Sequence, residues 1–220
     1  MLEETLEILR NELTKAIYET AVMLGISFVF SLIVGVTLGF VLYLTANPFF
    51  FRKPFINHLA AGVVNFIRSI PFIILIVFTL PFTFLIVGTK IGPIAASVPL
   101  SITATVFLAR LVEMGLKEVD SGVIEAALAT GASNGLIIRH VLLVEAAPAI
   151  IRGITVTFIS LIGFSAMAGM VGGGGIGNLA VQYGYYRYET GVMIFTIIFL
   201  VLVVQFAQWV GDKVARKLTH

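Results

Sequence analysis

Cysteine is absent from the 220 residues. That excludes disulfides and any thiolate metal site, although a chain without thiols says nothing of its redox compartment. Charge is scarce. Charged residues make up 12% of the chain, against about 25% in a soluble domain, while hydrophobic residues make up 59% and the mean hydropathy is +1.05. A soluble core of this size cannot hide so much apolar surface, so the composition describes an integral membrane protein. A formal charge of only +2 supplies no basic patch or arginine stripe for nucleic acid, and that class of partner is excluded. Histidine occurs three times, as His58, His140 and His220. None shares a helix face with another in an HExxH-like pair, so no metal site is expected. The ATP-binding pattern GxxxxGK[ST] is also missing. The chain therefore cannot bind ATP by that route and has to draw on an external source of energy.

The apolar runs are long, and they fall between charges. A helix needs about 20 predominantly apolar residues to cross the hydrocarbon core. The first expected span covers residues 17–46 and closes at the helix-stopping pair Asn47-Pro48. A second covers 60–82, interrupted by Arg68, Pro71 and Pro81. The third covers 91–109, with Pro93 in its first turn, where a missing N–H costs nothing. Residues 154–171 and 191–210 make a fourth and a fifth. The segment before the first span carries Glu3, Glu4, Glu7 and Glu12, and Glu19 follows just inside it. That is no cleavable signal, which has a basic start. Five spans place the termini on opposite sides.

Lysine and arginine orient the chain. With the C-terminus in the cytoplasm, the inner side holds Arg52, Lys53, Arg110, Lys117, Arg139, Arg152, Lys213, Arg216 and Lys217, and the outer side only Arg10, Lys15, Lys90 and Arg187. The expected arrangement is an extracytoplasmic N-terminal segment over 1–16, a transmembrane domain over 17–211 and a basic cytoplasmic tail over 212–220.

One long polar segment, 110–152, interrupts this pattern, and the charge bias puts it in the cytoplasm. Asp120-Ser121-Gly122 is a turn with an N-cap. After it, Ile124, Ala127, Leu128 and Gly131 recur at one face of a short amphipathic helix. An alanine-lined cytoplasmic face with no core of its own is expected to need a docking partner.

These residues resemble a known pattern. Glu125-Ala126-Ala127, then Gly131, then Leu143 is similar to the EAA loop of bacterial ATP-binding-cassette importer permeases, which reads Glu-Ala-Ala, three residues, Gly, nine residues, Ile-x-Leu-Pro. Val141 stands for the Ile and Val144 for the Pro, with Pro148 soon after. Three further stretches resemble the methionine importer branch of that family. They are Phe66 to Leu75, then Pro81-Phe82-Thr83 with Ile86 to Thr89, and finally Gly163 to Met167 through Gln182 to Tyr185.

The resemblance implies an all-α, five-span type I importer transmembrane domain in a bacterial cytoplasmic membrane, working as a homodimer. Its implied partners are two ATP-binding-cassette ATPase subunits, which hold the ATP and Mg, and an extracytoplasmic methionine-binding protein. This chain would carry no cofactor and no catalytic site. Glu125, Ala126, Ala127, Gly131 and Leu143 would couple it to the ATPase.

Candidate pathway or gate residues each have a plainer alternative. Arg68 is the charge placed inside a span; it either braces the helix break at Pro71 or snorkels, or it serves the pathway. Gly172 to Gly177 reads GGGGIG, which formally contains GxGxxG but lacks the strand and acidic residue of a dinucleotide site. It is read as a flexible turn, with Gly172, Gly174 and Gly177 letting helices of two subunits approach closely. Ser165 and Met167 lie among small residues that either pack or line the dimer axis. Tyr183, Tyr185, Tyr186 and Tyr188 are read as an interfacial belt.

Three rival functions differ in what they require. A permease for another small amino acid or osmolyte would share every motif above. A secondary transporter driven by an ion gradient usually shows intramembrane carboxylates or internal repeats, and all twelve acids lie in loops or at span ends. An intramembrane enzyme would need a catalytic pair within the spans, and no span contains histidine.

Overall fold

A computed structural model describes residues 2–218. Among them the secondary structure is helical throughout: α1 (Leu2–Ala46), α2 (Pro54–Ser69), α3 (Phe72–Val87), α4 (Pro93–Lys117), α5 (Ser121–Ala129), α6 (Asn134–Ile137), α7 (Leu143–Ala168), α8 (Gly175–Leu179) and α9 (Thr190–Leu218). Short π-helical turns over Ile138–Leu142, Gly169–Gly173 and Ala180–Tyr185 join or extend the later helices. Four helical stretches are long and apolar enough to cross a membrane, and five when the bent pair α2 and α3 counts as one span.

The helices outrun the expected spans. The acidic segment 1–16 continues helix α1 from Leu2, α4 runs on to Lys117, and the basic end of the chain stays helical to Leu218. The second span differs most. It is not one helix over 60–82 but two of 16 residues each, separated at Ile70-Pro71. Pro71 has no N–H to give and drives the residue before it out of the helical region. Pro81 sits inside α3 without breaking it. Gly88 then ends α3 in the left-handed conformation, φ 79°, its N–H donated to Phe84 O at 2.8 Å.

The chain forms two compact units, and α1, α4, α7 and α9 each contribute to both. The first unit comprises Met1–Phe30, Ile70–Ala104 and Phe158–Ala207. Its core gathers Met23, Phe72, Ile76, Leu100, Ala104, Leu161 and Ala168, with a second cluster of Ala16, Ile176, Leu179 and Val192. In lipid, interhelical hydrogen bonds supplement packing; here Ser27 Oγ on α1 donates to the Ser97 carbonyl of α4 at 3.1 Å.

The second unit comprises Ser31–Ser69, Thr105–Thr157 and Gln208–His220. Its core joins Tyr43, Leu108, Val112 and Leu116 to Ile124, Ile137, Leu142 and Ala146. The close approach of α1 to α4 rests on Gly35 and Gly39, four residues apart. A Cβ on Gly35 would lie 2.9 Å from the Thr105 carbonyl oxygen, and one on Gly39 would lie 2.6 Å from the Val112 Cβ. Small residues at this spacing let two backbones meet where lipid offers no hydrophobic drive.

Candidate functional site

The segment between α4 and α7 is a helix pair with its own foundation. Asp120 caps α5, its Oδ1 accepting the Gly122 N–H at 2.6 Å, in keeping with the expected turn and N-cap. The helix ends on Gly131, φ +80°. There Ala132 donates to Ala127 O at 3.3 Å and Gly131 to Leu128 O at 2.9 Å, the paired bonds of a Schellman stop. Only glycine takes that left-handed φ without strain, which is why the chain can turn sharply into α6 at this position.

The faces of α5 correct one expectation. Ile124 is 1% exposed, and Ala127 and Leu128 pack beside it against the core of the second unit. The apolar stripe read as a docking face is covered by the chain itself. Glu125 and Ala126 stand exposed instead. Val123 on the same helix, and Leu136, Leu143 and Val144 further along the segment, are also exposed. The exposed side of α5 thus presents an acidic residue beside a small one, on a helix whose opposite side is anchored in the core. Of the five candidate coupling residues, Glu125, Ala126, Gly131 and Leu143 are open to solvent, and Ala127 is half-buried.

On α4, whose Val112 and Leu116 belong to that core, lies a buried carboxylate not singled out from the sequence. Glu113, 3% exposed on α4, pairs with Arg110 and, at 2.7 Å, with Lys117. Arg110 also donates from Nη2 to Asn65 Oδ1 of α2 at 2.9 Å. The residues recur at i, i+3 and i+7, so the signal was a charge pattern on one helix face. It went unread because Arg110 looked like the start of a loop.

The glycine-rich stretch is a tight hairpin rather than a slack turn. Gly172, Gly174 and Gly175 all have positive φ, at 93°, 78° and 85°, which L-residues rarely adopt. The turn folds α8 back on the end of α7 so closely that a Cβ on Gly177 would run into the Ala166 backbone, and one on Gly169 would lie 2.8 Å from Asn178 N. Side chains of α1 tie it down. Glu19 Oε2 accepts the Gly175 N–H at 2.7 Å, and Thr20 Oγ1 accepts the Ile176 N–H at 2.9 Å. The close approaches described are thus made within the chain.

The remaining candidates do not assemble into one site. Arg68 is exposed in the last turn of α2 and makes no hydrogen bond or ion pair among the described residues, so it does not brace the break at Pro71. Ser165 is buried at 4% exposure, with its hydroxyl donated to Ile162 O at 2.8 Å on its own helix. Met167 is 45% exposed. Two residues apart on a helix, the pair faces opposite ways. His58 Nδ1 lies 2.7 Å from Pro54 O, and His220 falls outside the described residues.

Bilayer-length helices joined through a helix hairpin whose inner face is packed on the core define a polytopic membrane protein. The chain belongs to the family of binding-protein-dependent transport system inner membrane components, whose model matches residues 31–220. It is 43% identical over 208 residues to the probable D-methionine transport system permease protein of Vibrio cholerae, covering 94% of this chain and 92% of that one. It is 47% identical over 206 residues to the methionine import system permease protein of Bacillus subtilis, covering 94% and 93%. Among solved structures, an inward-facing methionine ABC transporter superposes with a TM-score of 0.89 at 42% identity, over 94% of this chain and 96% of that chain. An amino acid ABC transporter crystallised with histidines superposes at 0.76 with 17% identity, over 93% and 92%, and shares the fold.

Proposed function

We propose that this chain is the permease subunit of an ATP-driven importer that carries methionine across a bacterial cytoplasmic membrane. Two copies form the pathway, two ATP-binding-cassette ATPase subunits bind at the α5–α6 hairpin and hold the ATP and Mg, and an extracytoplasmic binding protein delivers the amino acid. The N-terminus lies outside and the C-terminus inside, following the lysine and arginine bias. The observation that carries the reading is the hairpin itself. Glu125 and Ala126 project from a helix whose opposite face is locked into the core by Ile124, so a partner that pulls on the exposed face moves α4 and α7 with it rather than unwinding a loop. Coupling of this kind transmits a partner's closure to a two-state bundle. The match along almost the whole length to permeases named for methionine supports the substrate.

The test is reconstitution. The permease, its neighbouring ATPase and the binding protein are placed in liposomes, and uptake of labelled methionine is followed with and without ATP. ATP-dependent uptake that needs all three components is expected. Uptake by this chain alone, without any ATPase, overturns the reading.

A further inference from the structure

A polar cleft of about 300 Å³ opens in the first unit between α1 and the segment after the glycine hairpin, lined by Glu12, Lys15, Glu19, Asn178, Gln182 and Tyr183 over a floor of Ala16 and Leu179. Its charges are oddly arranged. Glu12, half-buried, and Lys15, exposed, are three residues apart on one helix, a spacing at which opposite charges can pair. They form no ion pair, and neither they nor the Asn178 and Gln182 amides have a hydrogen-bond partner among the described residues. The second carboxylate is already engaged, since Glu19 accepts the Gly175 N–H. The nearby second cation is engaged as well, because the Arg187 guanidinium stacks 4.5 Å from the centroid of the Tyr183 ring. One free carboxylate and one free ammonium remain on the wall, with two amides able to donate and accept. A metal does not suit this set, since the described residues hold no group of three acids or histidines placed for one.

We infer that this cleft binds a free α-amino acid as its zwitterion, with the ligand ammonium on Glu12, its carboxylate on Lys15 and its side chain against Ala16, Leu179 and the Tyr183 ring. A ligand with one charge of each sign satisfies both wall groups at once, whereas an amine or an acid leaves one unpaired. This deepens the importer reading and rests on it for the outward placement of α1: the cleft is a receiving site for substrate on the outer side, separate from the binding protein.

The test measures binding of labelled L-methionine to the purified transporter in nanodiscs with the binding protein left out. Saturable binding is expected, displaced by unlabelled methionine but on the order of tenfold less well by its decarboxylated amine or its deaminated acid. Glu12→Gln and Lys15→Ala each weaken binding on the order of tenfold with unchanged thermal midpoints, since neither side chain has a partner to lose. Absence of saturable binding, variants that bind like the parent, or an amine that competes as well as methionine overturns the inference. Uptake by the complete system is measured in parallel. Absence of saturable binding by the parent protein with its uptake intact refutes the cleft alone, whereas failure of ATP-dependent uptake refutes the importer reading.

Discussion

The carboxylate of Glu19 on α1 accepts the backbone N–H of Gly175 at 2.7 Å across a sequence separation of 156 residues. Thr20 does the same for Ile176 at 2.9 Å. These two bonds satisfy the first donors of a turn whose glycines have given up the ordinary helical conformation, and they make α1 the strut that holds the hairpin closed. A charge-assisted hydrogen bond of this kind contributes about 1.5–3 kcal/mol. Glu19→Ala therefore lowers stability by that amount, Glu19→Gln by less because the amide oxygen still accepts, and Thr20→Val by about 1 kcal/mol. Thermal unfolding of the detergent-solubilised protein measures all three.

Gly177 of the glycine hairpin and Gly163 of α7 differ in the space around them. Gly177→Ala places a methyl into the backbone of Ala166, which is held in helix α7 and cannot step aside. Gly163→Ala meets nothing within 4 Å. The first substitution abolishes accumulation of folded protein in the membrane, and the second leaves it unchanged; a fluorescent fusion followed by size-exclusion chromatography reads the difference.

Glu113 holds two basic partners, Arg110 and Lys117, from a buried position. Removing it leaves Arg110 without its carboxylate, and Glu113→Ala costs about 2–3 kcal/mol. Lys117→Ala removes only the more exposed partner of the pair and costs about 0.5 kcal/mol. The ratio of the two effects, taken from thermal denaturation, checks the assignment. Equal effects refute it.

The buried and exposed faces of α5 give opposite signatures. Ile124→Ala empties a fully buried position and destabilises the second unit by about 2–4 kcal/mol. Glu125→Ala and Ala126→Arg alter exposed positions, so thermal stability holds while ATP-driven uptake falls at least tenfold. Gly131→Ala has room for its methyl but carries a left-handed residue, at a cost of about 1 kcal/mol. Co-purification of the ATPase with each variant distinguishes lost docking from lost folding.

Arg68→Ala removes an exposed side chain with no partner among the described residues. Its thermal midpoint stays within about 1 °C of the parent, in line with surface substitutions of under about 0.5 kcal/mol. Any loss of methionine uptake in this variant then reports on the pathway or on lipid contact, not on assembly of the helix break.

Much of this protein follows from composition and periodicity. The bilayer is the harshest filter a sequence can meet, because backbone groups in lipid are satisfied only within helices or closed barrels. Runs such as 17–46 and 191–210 therefore announce themselves, as do stop signals such as Pro71, Asp120 and Gly131. The hairpin was legible for the same reason: charge on a segment between apolar runs places it in water, and a cap followed by a glycine brackets a helix of known length. The end of a membrane span and the end of a helix are different events, however. Arg110 marks the first, and backbone bonding carries α4 on to Lys117.

What sequence could not settle is which way each side chain turns and what meets it there. Ile124, Ala127 and Leu128 form the same stripe whether it faces a partner or the chain's own core, and only the packing of Leu116, Ile137 and Leu142 decides for the core. Gly35 and Gly39 are recognisable as a small-residue pair, but their meaning lies in Thr105 and Val112 some seventy residues on. Glu19 and Gly175 carry no mutual signal in one dimension. Hydrophobic burial is non-directional and leaves its trace in composition, whereas hydrogen bonds and close backbone approaches depend on geometry to a fraction of an ångström. Composition and charge pattern place this chain in a membrane and mark out the long polar segment 110–152; packing and hydrogen-bond geometry decide which face of that segment stays exposed, and which two residues hold the glycine turn shut.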